Sequence, residues 1–288
     1  MSDATFIQLL ATALILTSAL LHAVVNTLIK ISGDGLITRG GMNAVACIAA
    51  APFLFAVPLP DPVLWRLLVV SVLIHALYPF FLVQAYRTGD LSSVFPLARG
   101  SAPLLVALFT VIALEQRPSA VSMMGIALVS LSVASFAFAR GLIPSKTHTR
   151  NMALVFTTGL IIAVYTVVDA AGLRLAPTLF VYIVWLFVLD GAFVSLLVVL
   201  ARRRAVPLFI AGHWKATLAA GILGVLTYGL ALLALAMGPV AEIAALREMS
   251  IVFAALIGTY VLGEPFGRKR MTAALAAASG IVLMYLGR

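Results

Sequence analysis

The chain has 288 residues, 63% of them hydrophobic and 10% charged, with a formal net charge of +9. That little polar surface cannot cover a soluble globule of this size, whereas repeated apolar stretches of about 20 residues are long enough to cross a bilayer. A soluble enzyme or binding domain is therefore excluded. Because the Lys and Arg residues fall mostly between apolar runs, the positive charge reports membrane orientation and not nucleic-acid binding.

In chain order, Met1, Ser2 and Asp3 contain no basic stretch and lead directly into an apolar run, which reads as a retained first span and not a cleaved signal. Charged or Gly/Pro-rich breaks follow at 32–34, 58–62, 89–90, 115–118, 140–150, 174–177, 202–207, 238–239 and 263–270. These breaks predict ten transmembrane helices, at 6–31, 36–58, 63–88, 91–114, 119–140, 151–173, 178–201, 212–237, 240–262 and 269–287. The expected fold class is all-α integral membrane. The polar stretch around Pro144 reads as a linker loop at 141–150 between a five-helix unit at 1–140 and a second at 151–288. The single Cys47 lies in an apolar stretch, pairs with no second cysteine and reads as a small core residue.

The two units look like copies. At an offset of 140 the first and sixth spans share Ala13/Ala153, Leu14/Leu154, Thr17/Thr157, Leu20/Leu160, Ala23/Ala163 and Val24/Val164. Tyr78 meets Tyr228, Gly89 meets Gly238 and Glu115 meets Glu264 at offsets of 149 or 150. In both halves a glycine turn, an arginine about nine residues later and a glutamate closing the helix occur in the same order. With an odd number of spans in each unit, the second copy must be inverted in the membrane, and inverted repeats place a binding site near the midplane between them.

Ala85-Tyr86 leading to Gly89, Pro103 in the fourth span, and the helix-terminal Leu114-Glu115 and Leu262-Gly263-Glu264 complete a pattern that resembles the ten-helix EamA-type carriers of the drug/metabolite transporter superfamily. The segment from Gly89 to Gly100 departs from the common family pattern by carrying Arg99. The chain is also similar to bacterial exporters of aromatic and other neutral amino acids. The resemblance implies two EamA-like repeats around a central cavity, a multi-pass protein of the cell inner membrane, and a small-molecule substrate. It implies no cofactor and no enzymatic role, and a monomer or a weak homodimer.

Loops leaving the odd-numbered spans hold thirteen Lys and Arg residues, among them Arg202, Arg203 and Arg204, against four on the other side. The positive-inside rule then puts both termini outside the cytoplasm.

The two remaining basic residues, Arg99 and Arg247, lie about eight residues into the fourth and ninth spans, roughly 12 Å deep. A charge at that depth costs about 3 kcal/mol or more on insertion scales, so it tends to face a protein interior or a wet cavity. Asp190, Glu242 and Glu248 are available to pair with them, either as structural salt bridges or as charge- and proton-coupling groups beside an arginine that grips a substrate carboxylate. His22 and Asn26 share a face of the first span, as do His75 and Tyr78 of the third. Each histidine reads either as a neutral packed residue or as a substrate or proton contact. Tyr165, Tyr182 and Trp185 add aromatic surface at mid-span, as packing or as cavity wall. Together His22, Asn26, His75, Tyr78, Arg99, Tyr165, Tyr182, Trp185 and Arg247 form the predicted substrate-binding set. Pro79, Pro96 and Pro103, with Gly221, Gly224 and Gly229, mark spans 3, 4 and 8 as the parts that kink or approach closely, and span 9 is expected to move with them.

No H-E-x-x-H, G-x-S-x-G, paired cysteine ligands or nucleotide-binding loop occurs, so neither a membrane enzyme nor an ATP-driven pump is expected. The expected function is secondary or facilitative export of small metabolites, foremost aromatic and other neutral amino acids, by alternating access. Efflux of lipophilic drug cations is the alternative, and a channel or structural subunit the third reading.

Overall fold

The computed structural model describes residues 3–88, 91–138, 148–262 and 267–287. Gly89, Asp90, Glu264 and the linker 141–147 of the sequence reading lie outside the described residues.

Among these residues the chain forms α1 (Asp3–Ile31), α2 (Gly35–Ala50), α3 (Pro62–Thr88), α4 (Leu91–Ala113), α5 (Ala120–Ser135), α6 (His148–Leu175), α7 (Leu179–Ala201), α8 (Ala205–Met237), α9 (Val240–Arg247), α10 (Met249–Leu262) and α11 (Gly267–Leu286). Seven segments, α1, α2 together with the 3-10 turn that continues it to Phe55, α3, α4 and α6 to α8, are long and apolar enough to cross a membrane, and α5 is a shorter apolar helix. The protein is a multi-pass membrane protein.

Several starts follow from capping at the predicted breaks, where a side-chain oxygen accepts the backbone N–H groups a first turn leaves unpaired. Asp34 accepts from Leu36 and Ile37 at 3.0 and 3.1 Å, Asp61 from Val63 and Leu64, and Ser119 from Ser122. At the end of α4, Glu115 takes left-handed backbone at φ 55° while Leu114 and Gln116 both return N–H bonds to the Thr110 carbonyl. Glu115 and Arg117 are exposed there.

The predicted second, fifth, eighth and ninth spans differ in detail from the helices formed. Pro52 converts the end of the second into a 3-10 turn at Ala51–Phe55, and the fifth ends in another at Phe136–Phe138. The eighth begins earlier, at Ala205, and kinks at His213. The ninth is broken: Glu248 separates α9 from α10, its own N–H bonding back to Ala245 and Leu246.

The packing pairs helices across the two halves. α1 packs on α8 as α3 packs on α6; α2 packs on α8 as α7 packs on α3; α2 pairs with α7 and α5 with α11. Small residues allow the close approaches. A Cβ on Gly125 of α5 would lie 2.5 Å from the Gly280 carbonyl of α11, and one on Gly191 of α7 would lie 2.5 Å from the Asn43 carbonyl of α2. Cys47 sits partly buried at this second contact. Hydroxyls tie helices together as well, Ser18 donating to the Thr227 carbonyl at 2.6 Å and Ser195 to that of Gly40 at 2.9 Å. Outward, large apolar side chains such as Ile112, Leu131 and Leu275 cover the surface.

Candidate functional site

A cavity of about 430 Å³ lies between the helices, walled by side chains of α1 to α4 and α6 to α9. Of the predicted substrate-binding residues, His22, Asn26, His75, Tyr78, Arg99, Tyr165 and Arg247 line it, as does Asp190. The aromatic residues form a box: the His75 ring lies 4.4 Å from Tyr165 and 5.5 Å edge-on to Tyr228, and Phe187 lies 6.3 Å from Tyr228. Arg39 reaches over the Tyr78 ring at 5.7 Å. An apolar wall with a few placed polar groups suits a small amphipathic molecule.

The two arginines are not equivalent. Arg99 donates from Nε to Glu248 at 2.9 Å and from Nη2 to Ser250 at 3.4 Å, and Arg99 and Glu248 are each 2% exposed. The break between α9 and α10 sits at the glutamate that makes this contact. Arg247, one residue before, points elsewhere, because neighbours on a helix diverge by about 100°. Its guanidinium stacks over Tyr228 at 5.1 Å, it lines the cavity, and its buried Nε has no hydrogen-bond partner among the described residues.

The acid cluster centres on a residue absent from the predicted set. Asp169 of α6 is fully buried and accepts three hydroxyl bonds, from Ser71 at 2.5 Å, from Tyr182 at 2.8 Å and from Tyr228. His75 stands between two aspartates: Nε2 lies 3.0 Å from the Tyr228 hydroxyl and 3.6 Å from Asp169, and Nδ1 lies 3.9 Å from Asp190. The Asp190 Oδ1 has no hydrogen-bond partner among the described residues.

Four predicted residues are placed away from the cavity wall. Tyr182 points into α6, where it bonds Asp169 and fills the niche that Gly172 leaves open. Trp185 donates to the Pro58 carbonyl at 3.1 Å and packs edge-on against Trp65 at 5.1 Å. Glu242 accepts the Ser122 hydroxyl and links α9 to α5. Glu248 is committed to Arg99. Both glutamates therefore have occupied partners, whereas Asp190 keeps an open oxygen at the cavity. Tyr228 was visible in the sequence as the counterpart of Tyr78. Asp169 had a signal too, a carboxylate inside a predicted span, but its place near the span's end made it resemble an interfacial charge.

Fold and site thus define a helical multi-pass membrane protein with a largely apolar cavity, carrying a few polar groups, between its helices. Residues 149–286 match the EamA-like transporter family. A solved structure titled "Crystal structure of protein" shares the fold at a TM-score of 0.77 and 20% identity, covering 96% of this chain and 98% of its own. No curated protein sequence matches the chain.

Proposed function

We propose that the protein is an inner-membrane exporter of small zwitterionic metabolites, foremost aromatic and other neutral amino acids, working by alternating access between two inverted five-helix repeats at 1–140 and 151–288. The observation that carries this reading is the Arg247 guanidinium, whose buried Nε has no hydrogen-bond partner among the described residues and which faces the same cavity as Asp190, whose Oδ1 also has none among them. A buried cation with unused donors is a carboxylate receptor, and an acid with an open oxygen suits an ammonium group. The aromatic box of Tyr78, Tyr165 and Tyr228 takes the apolar side chain between them. The repeat arrangement is supported by the matched packing of α1 on α8 and α3 on α6, and by the cross-pairing of α2 with α7. A lipophilic cation would use Asp190 but be repelled by Arg247.

The test is counterflow of a radiolabelled amino-acid panel in proteoliposomes. Wild-type protein exchanges aromatic and neutral amino acids saturably, and Arg247→Ala and Asp190→Asn each raise KM. If a lipophilic cation exchanges and no amino acid does, or if open conductance replaces saturable exchange, the proposal fails.

A further inference from the structure

We infer that the turn between α7 and α8, with residues 205–212 that follow it, binds an anionic phospholipid, whose phosphate is held by Arg202, Arg203 and Arg204 and whose acyl chains lie against the apolar start of α8.

The three arginines are consecutive and exposed. The backbone of their turn is satisfied from within: the Arg202 N–H donates to the Val198 carbonyl at 2.9 Å, and the Arg202 carbonyl accepts from Ala205 and Val206 at 2.9 and 3.1 Å. The side chains are left over. Among the described residues none of the three guanidinium groups forms an ion pair. A guanidinium fork matches the oxygens of a phosphate, and basic residues clustered at the end of a membrane span attract anionic lipid.

The stretch that follows supplies an apolar surface. Residues 205–212 read AVPLFIAG and form a helical lead-in that a kink at His213, with φ −129° and ψ 16°, separates from the body of α8. The His213 ring braces this lead-in by stacking on Phe209 at 4.5 Å, and its Nδ1 lies 3.0 Å from the Phe209 carbonyl. Its two sides differ. Ile210 turns toward α2, where a Cβ on Gly41 would lie 3.5 Å from its Cδ1. Leu208 is 81% exposed, and a Cβ added to Gly212 would meet nothing within 4 Å. Exposed Trp214 stands just past the kink, with the Lys215 Nζ 5.6 Å from its ring. Tryptophan and lysine beside an apolar surface mark a helix at headgroup level.

This combination selects the occupant. A free anion satisfies the arginines and leaves Leu208 bare, whereas a phospholipid offers a phosphate followed by acyl chains, in the order in which the arginines and the apolar lead-in follow along the chain. The net charge of +9 gives the complementarity its sign. The site also adjoins the central cavity, because Ala201, directly before Arg202, lines the cavity together with Val198 and Arg39. A headgroup bound here stands beside the cavity rim and outside the substrate-binding set.

Tryptophan quenching by brominated lipid tests the inference without any transported substrate. The chain has three tryptophans, and two of them, Trp65 and Trp185, pack together near the other end of α7. Trp65→Phe/Trp185→Phe therefore leaves Trp214 as the reporter. The full chain is reconstituted into mixed vesicles of dioleoylphosphatidylcholine and dioleoylphosphatidylglycerol, with bromine on one lipid or the other, and the paired quenching curves give the relative affinity at Trp214.

Phosphatidylglycerol is favoured there by about tenfold, and rising salt weakens the preference because the charges are exposed. Arg202→Gln/Arg203→Gln/Arg204→Gln in the same background brings the ratio close to one, with an unchanged melting temperature in detergent. Trp214→Phe protein, in which Trp65 and Trp185 report on the other end, shows no preference. The Arg66 Nε there donates to the Pro62 carbonyl, and Asp61 lies exposed nearby. A ratio near one with the arginines intact, a ratio that salt or the triple replacement leaves unchanged, or an equal preference at Trp65 and Trp185 overturns the inference. So does loss of the preference when inorganic phosphate is added at constant ionic strength, which makes the arginines a site for free anions.

Discussion

Replacing Glu248 by methionine removes the carboxylate that neutralises Arg99 and keeps most of the side chain's volume. The guanidinium and carboxylate meet at 2.9 Å, both 2% exposed. With charge centres about 4 Å apart and an effective dielectric near 20, their attraction is about 4 kcal/mol. Stranding one member of a buried pair costs about 3–5 kcal/mol, whereas replacing both members by apolar residues of similar volume is often neutral. Glu248→Met therefore destabilises the fold by about 3–5 kcal/mol. The double variant Arg99→Met/Glu248→Met recovers most of that loss. Reversible unfolding in mixed micelles of rising SDS fraction gives the four free energies of the cycle. A single variant within about 1 kcal/mol of wild type, the range of a surface pair, refutes the reasoning. So does a double variant no more stable than the worse single one.

Arg247→Gln removes the charge-assisted contact proposed for the substrate carboxylate. At about 1.5–3 kcal/mol, that raises KM in counterflow by roughly ten- to a hundredfold, and Arg247→Lys recovers part of the loss. Gly280→Val forces a side chain into a contact where even a Cβ would lie 2.8 Å from the Gly125 carbonyl. It lowers stability by about 1–3 kcal/mol, read as a lower melting temperature in detergent. Gly212→Ala, where nothing lies within 4 Å of the added Cβ, is neutral or stabilising by up to about 1 kcal/mol in the same assay. Trp185→Phe loses one hydrogen bond to the Pro58 carbonyl, costs about 1 kcal/mol of stability, and leaves KM where it was.

The helical segments were legible because hydrophobic run length and its interruptions are one-dimensional properties: Asp34 and Asp61 stand in predicted breaks, Ser119 and Thr178 directly after two others, and all four cap the helices that follow. Side-chain direction was not legible. The α7 sequence LFVYIVWLFVLDG is apolar on every side, so no periodic stripe separates Asp190, which meets the cavity, from Tyr182, which turns into α6. The break at Glu248 has neither Gly nor Pro to announce it. Asp169 is close to Arg174 in the sequence and resembles half of an interfacial pair. In the fold Arg174 donates to the Ala170 carbonyl at 2.7 Å, and Asp169 turns inward to three hydroxyls.

The asymmetry between the two arginines follows from these local facts. Arg99 and Arg247 stand at matching positions of the two proposed repeats, and a strictly two-fold arrangement would either bury both in ion pairs or leave both open. The carboxylate at Glu248 lies beside Arg247 in the chain, but helical geometry turns it roughly 100° away, and it closes on Arg99 instead. Glu248 therefore hydrogen-bonds Arg99 and leaves its own neighbour without a hydrogen-bonded acid among the described residues, against the face of Tyr228. An uncompensated guanidinium at this depth is costly in an empty protein, and an anion supplied from outside lowers that cost. Ligand affinity and the instability of the unliganded site thus have the same origin, so Arg247→Met is expected to stabilise the unliganded protein in the SDS assay while abolishing high-affinity exchange. If Arg247→Met is instead destabilised as strongly as Glu248→Met, Arg247 already has an internal partner and the cavity lacks its anion receptor.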